Sequence, residues 1–352
     1  MVEVPERAKL AFACAGIFLS FSYFAVLQED VYKKPYGGEY FKYTFLALVC
    51  ERGINAAIGA MGVLCLGGSG LKIPLLDILW SGTSQMFAMA GSNEALRYVS
   101  YPTQVLGKSC KMVPVMAGGL LLGGKSYTVF EYLQVVLITG GVVVFNFGGK
   151  KKGGGSADSP YGLGLIAFSL LMDAFTGGLQ DKVKTSTKAL NPTASGPRRP
   201  TMHESMFYTN VAGCLVALVL AILSGHLVGG IKFSMAQPEV LMAILLYSVS
   251  SAVGQNFVYF TVTEFGPLIL TTVTTVRKIF STLYSVFRTP SNTLSPMQWG
   301  GCSMVFAGLL GDIVRKMMPK PSSAPKAAPA VEQAPPAEAE AAPETPPATT
   351  IA

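Results

Sequence analysis

Apolar stretches, more than any motif, limit what this chain can fold into. Ten of them reach or approach the roughly 17 to 25 residues that a helix needs to cross a bilayer. They fall at 10–27, 43–66, 74–93, 100–122, 127–148, 160–179, 205–225, 239–260, 266–287 and 295–314. Only 13% of the 352 residues are charged and 50% are hydrophobic, whereas soluble domains carry about 25% charged residues. The expected fold is therefore an all-α membrane protein of ten transmembrane helices, with the lipid bilayer as its first partner. The first stretch follows Arg7 and Lys9 much as a secretory signal would. It is longer than a signal core and nine further spans come after it, so an uncleaved first helix is expected.

The net charge of +7 does not point to nucleic acid, because the basic residues are scattered over short loops and within spans rather than gathered on one soluble face. Cys14, Cys50, Cys65, Cys110, Cys214 and Cys302 all lie in apolar stretches without a C-x-x-C pair, and read as small hydrophobic residues. His203 and His226 are the only histidines, too few for a histidine-built metal centre. No paired-carboxylate, Ser/His/Asp or Cys/His constellation stands out. Neither enzyme activity, nor a cofactor, nor a metal is expected.

An even number of spans places both termini on one side, and the Lys/Arg distribution favours the cytosol by a modest margin. Residues 1–9 form the N-terminus and 10–148 a first set of five helices. A Gly/Lys linker follows at 149–159, then a second set of five at 160–318. The tail from 319 to 352 is rich in Pro, Ala and Glu, lacks aromatics, and is expected to be disordered. The polar stretch from Asp181 to Ser205 reads as a mobile, basic connection. Close glycine pairs such as Gly300-Gly301 suit tight helix packing.

Within this framework the residues from Tyr101 to Met116, YPTQVLGKSCKMVPVM, are unusual. They set Lys108 and Lys111 three apart on one helix face inside a span, with no acid between Arg97 and Lys125 to neutralise them locally. A charge at bilayer depth costs about 2.5 to 3.5 kcal/mol on insertion scales, so such residues need a role. The pattern recurs. Asn93, Tyr101-Pro102 and Lys108/Lys111 are echoed by Asn256, Gly266-Pro267 and Arg277/Lys278 in the second set. Five helices per set imply opposite insertion, an inverted repeat around a central site. Four cations converging from repeat-related helices suit a phosphate-bearing solute. Tyr101, Gln255, Asn256 and Tyr259 are candidates for stacking and hydrogen bonds to it. Acids at this depth, including Asp173, are expected to form structural ion pairs, as are Glu51 with Arg52 and Glu94 with Arg97.

One formal match competes. Gly119 to Ser126, GLLLGGKS, satisfies the P-loop pattern, but three leucines fill its variable positions at the end of a span, and no strand precedes it. Lys125 is better read as an interfacial anchor.

The segments YPTQVLGKSCKMVPVM, SLLMDAFTGGLQD (Ser169 to Asp181), LQED (Leu27 to Asp30) and TVTTVRKIFS (Thr272 to Ser281) resemble the nucleotide-sugar transporter family of the drug/metabolite transporter superfamily. The resemblance runs from Leu10 to about Met317. It is strongest to the branch that holds UDP-galactose/UDP-glucose translocators and their adenine-nucleotide and sulfonucleotide relatives. It implies two inverted five-helix halves, cytosolic termini, and residence in the endoplasmic reticulum or Golgi membrane. It further implies exchange of a nucleotide-sugar substrate for a nucleotide counter-substrate, with ATP/ADP or PAPS as the alternative cargo. Lys108, Lys111, Arg277 and Lys278 would bind the phosphates, and Glu29 would lie nearby. The chain ends in Thr349-Thr350-Ile351-Ala352 where relatives often carry a dilysine signal. The sequence leaves the oligomeric state open, a homodimer included.

Overall fold

The computed structural model describes residues 5–123, 127–149, 158–192, 200–289 and 292–317. Helix α1 (Glu6–Lys33) leads into a hairpin of β1 (Pro35–Tyr36) and β2 (Glu39–Tyr40). Then come α2 (Thr44–Leu66), α3 (Leu75–Ala95), α4 (Tyr101–Gly107), a 3₁₀ turn (Lys108–Lys111), α5 (Met112–Gly123) and α6 (Val129–Gly149). The remaining helices are α7 (Pro160–Leu190), α8 (Met202–Leu223), α9 (His226–Ala236), α10 (Pro238–Arg288) and α11 (Pro296–Met317). Among the described residues, six helical segments are long and apolar enough to cross a membrane: α1, α2, α6, α7, α8 and Pro238–Val258 of α10. The stretches expected at 74–93, 266–287 and 295–314 are helical too, and the one at 100–122 is interrupted.

Lipid rather than water suits the surface. Leu19, Leu64, Leu223 and Phe287 are 70 to 85% exposed, and many other large apolar side chains on these helices point outward with them. A water-soluble monomer does not leave a belt of that size uncovered. The interior is built from helix pairs that lie far apart in sequence. The most extensive pairings are α1 with α10, α6 with α11, α3 with α7, and α2 with α8.

Several elements depart from the sequence expectation for identifiable reasons. The span expected at 100–122 is not one helix. Pro102 starts α4, with Ser100 as its N-cap accepting from the Thr103 N–H. Pro114, which has no N–H to offer the Cys110 carbonyl, follows the 3₁₀ turn that interrupts the helix at the two lysines. The stretch expected to be a mobile loop from Asp181 is helical as far as Leu190, so α7 runs 31 residues, about 46 Å. Asp77 holds that extension, accepting from Ser186 at 2.6 Å and pairing with Lys182 at 2.9 Å. Residues 193–199 of that stretch, the linker residues 150–157, the tail, and 124–126 with Lys125 lie outside the described residues. Gly119–Gly123 of the P-loop match belong to helix α5, which is not the strand-and-loop that phosphate binding of that kind requires.

Helix α10 is assigned over 51 residues yet cannot be straight. Phe21 of α1 packs against Gly254, with an added Cβ there only 2.6 Å from its ring, and its ring also lies 5.4 Å from the Arg277 guanidinium. Those residues would be about 34 Å apart along a straight helix. The chain therefore folds back between Phe257 and Thr272, into a first limb that runs against α1 through Phe24–Tyr247 and Phe12–Phe257 and a second limb that returns through Phe18–Phe280. This accounts for the two expected spans at 239–260 and 266–287.

Candidate functional site: a cation cluster between two helices

The 3₁₀ turn gives Lys108 and Lys111 their placement. At three residues per turn, side chains three apart eclipse each other, so the two ammonium groups project from the same side of the interrupted helix. Opposite them stands the second limb of α10, where Arg277 and Lys278 are half-buried. Lys278 feels Lys111, Arg277 and Lys108 as like charges and Asp173 of α7 as its opposite. The four basic residues thus share one region, although 166 positions separate Lys111 from Arg277 in the chain.

They are not equivalent. Lys108 Nζ lies 3.2 Å from Asp173 Oδ2, so this cation has a carboxylate partner, contrary to the expectation that the cluster is unneutralised. Lys111 is exposed. Arg277 lays its guanidinium over the face of Phe21, and Tyr101, buried at 5% exposure, is within electrostatic reach of both Arg277 and Glu29. Among the described residues, Asp173 is the carboxylate placed beside these four cations, and the positive excess that remains suits an anion carrying more than one negative charge.

The remaining candidates divide. Glu29 is buried, and its carboxylate is already engaged. Ser285 Oγ donates to it at 2.9 and 3.1 Å, and Asn292 Nδ2 at 2.6 Å. It fastens the end of α1 to the end of α10, reinforced by the neighbouring Asp30 to Arg288 pair at 2.9 Å. Asn256 donates its amide to the Ala252 carbonyl of its own helix at 2.8 Å. No described contact brings Gln255 or Asn256 against the cations. The side chain of Tyr259 lies outside the described residues.

For two features of the site the sequence leaves the partner open: Phe21, and Asp173, for which an ion pair is expected but not its cation. Phe21 is one of many apolar positions in α1, and only the folded chain distinguishes it as the platform for Arg277. Asp173 sits in the SLLMDAFTGGLQD segment, but its pairing with Lys108 spans 65 positions. Elsewhere the acids do pair structurally. Glu94 holds Arg97 and accepts from Thr44 Oγ1 at 2.6 Å. Glu51 and Arg52 are adjacent and within electrostatic reach of each other, and each has further partners. Glu51 accepts from Ser251 at 3.0 Å, while Arg52 donates to Gln85 at 2.9 Å and Asn210 at 3.0 Å.

With this geometry described, comparison with known proteins is decisive. The model of the UAA transporter family matches residues 9–316. The chain belongs to the UAA transporter family. Solute carrier family 35 member B1 of Danio rerio is 35% identical over 86% of this chain and 91% of its own length, and the Xenopus tropicalis protein of that name is 36% identical over 86% and 92%. UDP-galactose/UDP-glucose transporter 3 of Arabidopsis thaliana is 35% identical over 87% and 92%. A solved crystal structure 14% identical to this UAA transporter superposes with a TM-score of 0.52, covering 88% of this chain and 97% of the other, a likeness of fold alone. The family is one of nucleotide-sugar transporters, and the all-helical, membrane-type fold agrees with it.

Proposed function

We propose that this chain is an antiporter that moves UDP-galactose or UDP-glucose from the cytosol into the lumen of the endoplasmic reticulum or Golgi and returns the nucleoside monophosphate. The observation that carries this reading is the meeting of Lys108, Lys111, Arg277 and Lys278, from two distant helices, with Asp173 paired to Lys108. Both exchanged solutes carry phosphate beside the uridine they share, so one cationic clamp serves both directions of transport. The similarity to a protein named for UDP-galactose and UDP-glucose favours those sugars.

The helix partnerships support alternating access by an inverted repeat. Let α1 correspond to α7, α2 to α8, α3 to the first limb of α10, α4 and α5 to its second limb, and α6 to α11. Exchanging the halves then turns the pair of α1 with the first limb into the pair of α7 with α3, and leaves α2 with α8 and α6 with α11 unchanged. The pairings of α1 with α10 as a whole, α3 with α7, α2 with α8 and α6 with α11 are the most extensive of the bundle, in keeping with a two-fold relation in the membrane plane.

Counter-flow into liposomes preloaded with UMP, AMP or ADP tests the reading. Uptake of labelled UDP-galactose or UDP-glucose should depend on UMP inside. Exchange of ATP for ADP, or of PAPS for AMP, without uridine nucleotide exchange would transfer the assignment to adenine cargo.

A further inference from the structure

Among the described residues, Lys108 of the cation cluster already has an anion in Asp173, and the two partners are held very differently. Around Asp173, helix α7 is fastened to α3. Ser169 Oγ donates to the Ala88 carbonyl, Ser84 Oγ donates to the Met172 carbonyl at 2.9 Å, and Thr176 bonds Ser84 at 3.0 Å. Gly91 lets the helices close, since a Cβ there would meet Phe168 at 3.0 Å and the Leu165 carbonyl at 3.1 Å. Asp173 is thus a fixed post. Lys108 instead projects from a 3₁₀ turn at a helix interruption, on a side chain with four rotatable carbons. Both side chains retain some exposure, 26% for Lys108 and 34% for Asp173, so an entering solute can reach between them.

We propose that Asp173 is a positioning residue that acts through Lys108 as a resident stand-in for substrate phosphate. In the empty transporter it holds Lys108 toward α7, and an arriving phosphate group displaces it and takes the lysine over. The exchange of partners releases the 3₁₀ turn from the α3/α7 pair, which makes the movement of the two halves conditional on cargo. Because Asp173 competes with the phosphate, its presence weakens binding while it supports turnover, the combination that a carrier required to release its cargo needs. An exposed or half-exposed ion pair contributes little by itself, so the competition is of modest size.

This inference rests on the nucleotide-transport reading, and the test separates the two. Equilibrium binding of UMP and of ADP, and counter-flow exchange, are measured on the full chain and on Asp173→Asn, Asp173→Glu, Lys108→Gln and the Lys108→Gln/Asp173→Asn pair. Asp173→Asn is expected to bind the accepted nucleotide about fivefold tighter and to exchange it several-fold more slowly, with Asp173→Glu restoring exchange. In the Lys108→Gln background the added Asp173→Asn change should alter affinity by much less than it does in the full chain. A second measurement needs no change at Asp173. In reductively methylated wild-type protein, the Lys108 ¹³C-dimethylamine resonance, assigned by its loss in Lys108→Arg, should move when UMP or ADP is added. Weaker or unchanged binding in Asp173→Asn, the same effect with and without Lys108, or a Lys108 resonance indifferent to bound nucleotide overturns the proposal. Failure of the wild-type chain to bind either nucleotide overturns the transport reading instead.

Discussion

At the scale of single residues, the site depends on what each cation touches. Arg277 has an aromatic platform as well as a charge. Stacking of this kind contributes about 0.5 to 2 kcal/mol, and lysine lacks both the flat face and the fork that grips phosphate oxygens in pairs. Arg277→Lys should therefore weaken UMP or ADP binding about tenfold, equivalent to about 1.4 kcal/mol, and Phe21→Leu should weaken it in the same direction by less. Calorimetric titration of both variants checks this, and a lysine variant that binds as wild type would reduce Arg277 to a bare charge. Glu29 gives the opposite case. Its oxygens serve Ser285 and Asn292, so Glu29→Ala would leave buried donors without acceptors, at about 1 to 3 kcal/mol. The expected readout is a melting temperature lower by a few degrees, and an unchanged melting temperature would show that these bonds do not hold the helix ends together.

At the scale of elements, glycine placement sets how closely helices approach. A Cβ on Gly301 of α11 would lie 2.5 Å from the Gly141 carbonyl oxygen and 2.6 Å from the Phe145 nitrogen of α6, whereas Gly300 faces open space. Gly301→Ala must push the two helices apart, at about 1 to 3 kcal/mol, while Gly300→Ala should cost nothing and gain slightly in helix propensity. Thermal unfolding in detergent distinguishes them, and equal stability of the two variants would contradict the packing. The same pair shows what the sequence could and could not reveal. That glycines at 300 and 301 serve close packing was legible, but which of the two faces α6 was not, because helical phase is set by the partner. That the chain is a helical membrane protein was legible from apolar length, since lipid enforces such length along the chain. The break at Lys108–Lys111 and the helical extension to Leu190 were not. The first depends on a 3₁₀ turn ahead of Pro114 and the second on Asp77, 109 positions from Ser186. The recurrence of paired cations pointed to one shared region and an ion pair at Asp173 was expected, whereas its partner Lys108 and the role of Phe21 required the folded chain.

At the scale of the whole molecule, the central matter is the sense in which equivalent helices cross the membrane. The end of α7 meets the connection after α2. Asn191 accepts from the Lys72 N–H and donates to the Lys72 carbonyl, both at 2.9 Å. The start of α7 meets the far end of α3, where the Ser159 N–H donates to the Tyr98 carbonyl at 3.0 Å and the Ser100 N–H donates to Asp158 at 2.8 Å. On the proposed inverted repeat, α2 returns to the level at which α1 began, α7 finishes where α1 starts, and the two run in opposite senses. Cysteine labelling turns this into a prediction about the inserted protein. Cys65, at the end of α2, is exposed, while Cys14, Cys50, Cys110, Cys214 and Cys302 are half or fully buried. In sealed vesicles of known sidedness, an impermeant maleimide should reach Cys65 from the face that carries the N-terminus. In a Cys65→Ser background, Lys188→Cys near the end of α7 should react from that same face, and Gly38→Cys in the hairpin and Ser224→Cys after α8 only from the other. Labelling of Lys188→Cys together with Gly38→Cys would mean that α1 and α7 cross in the same sense. The bundle would then lack the opposed halves that alternating access around Lys108, Lys111, Arg277 and Lys278 requires.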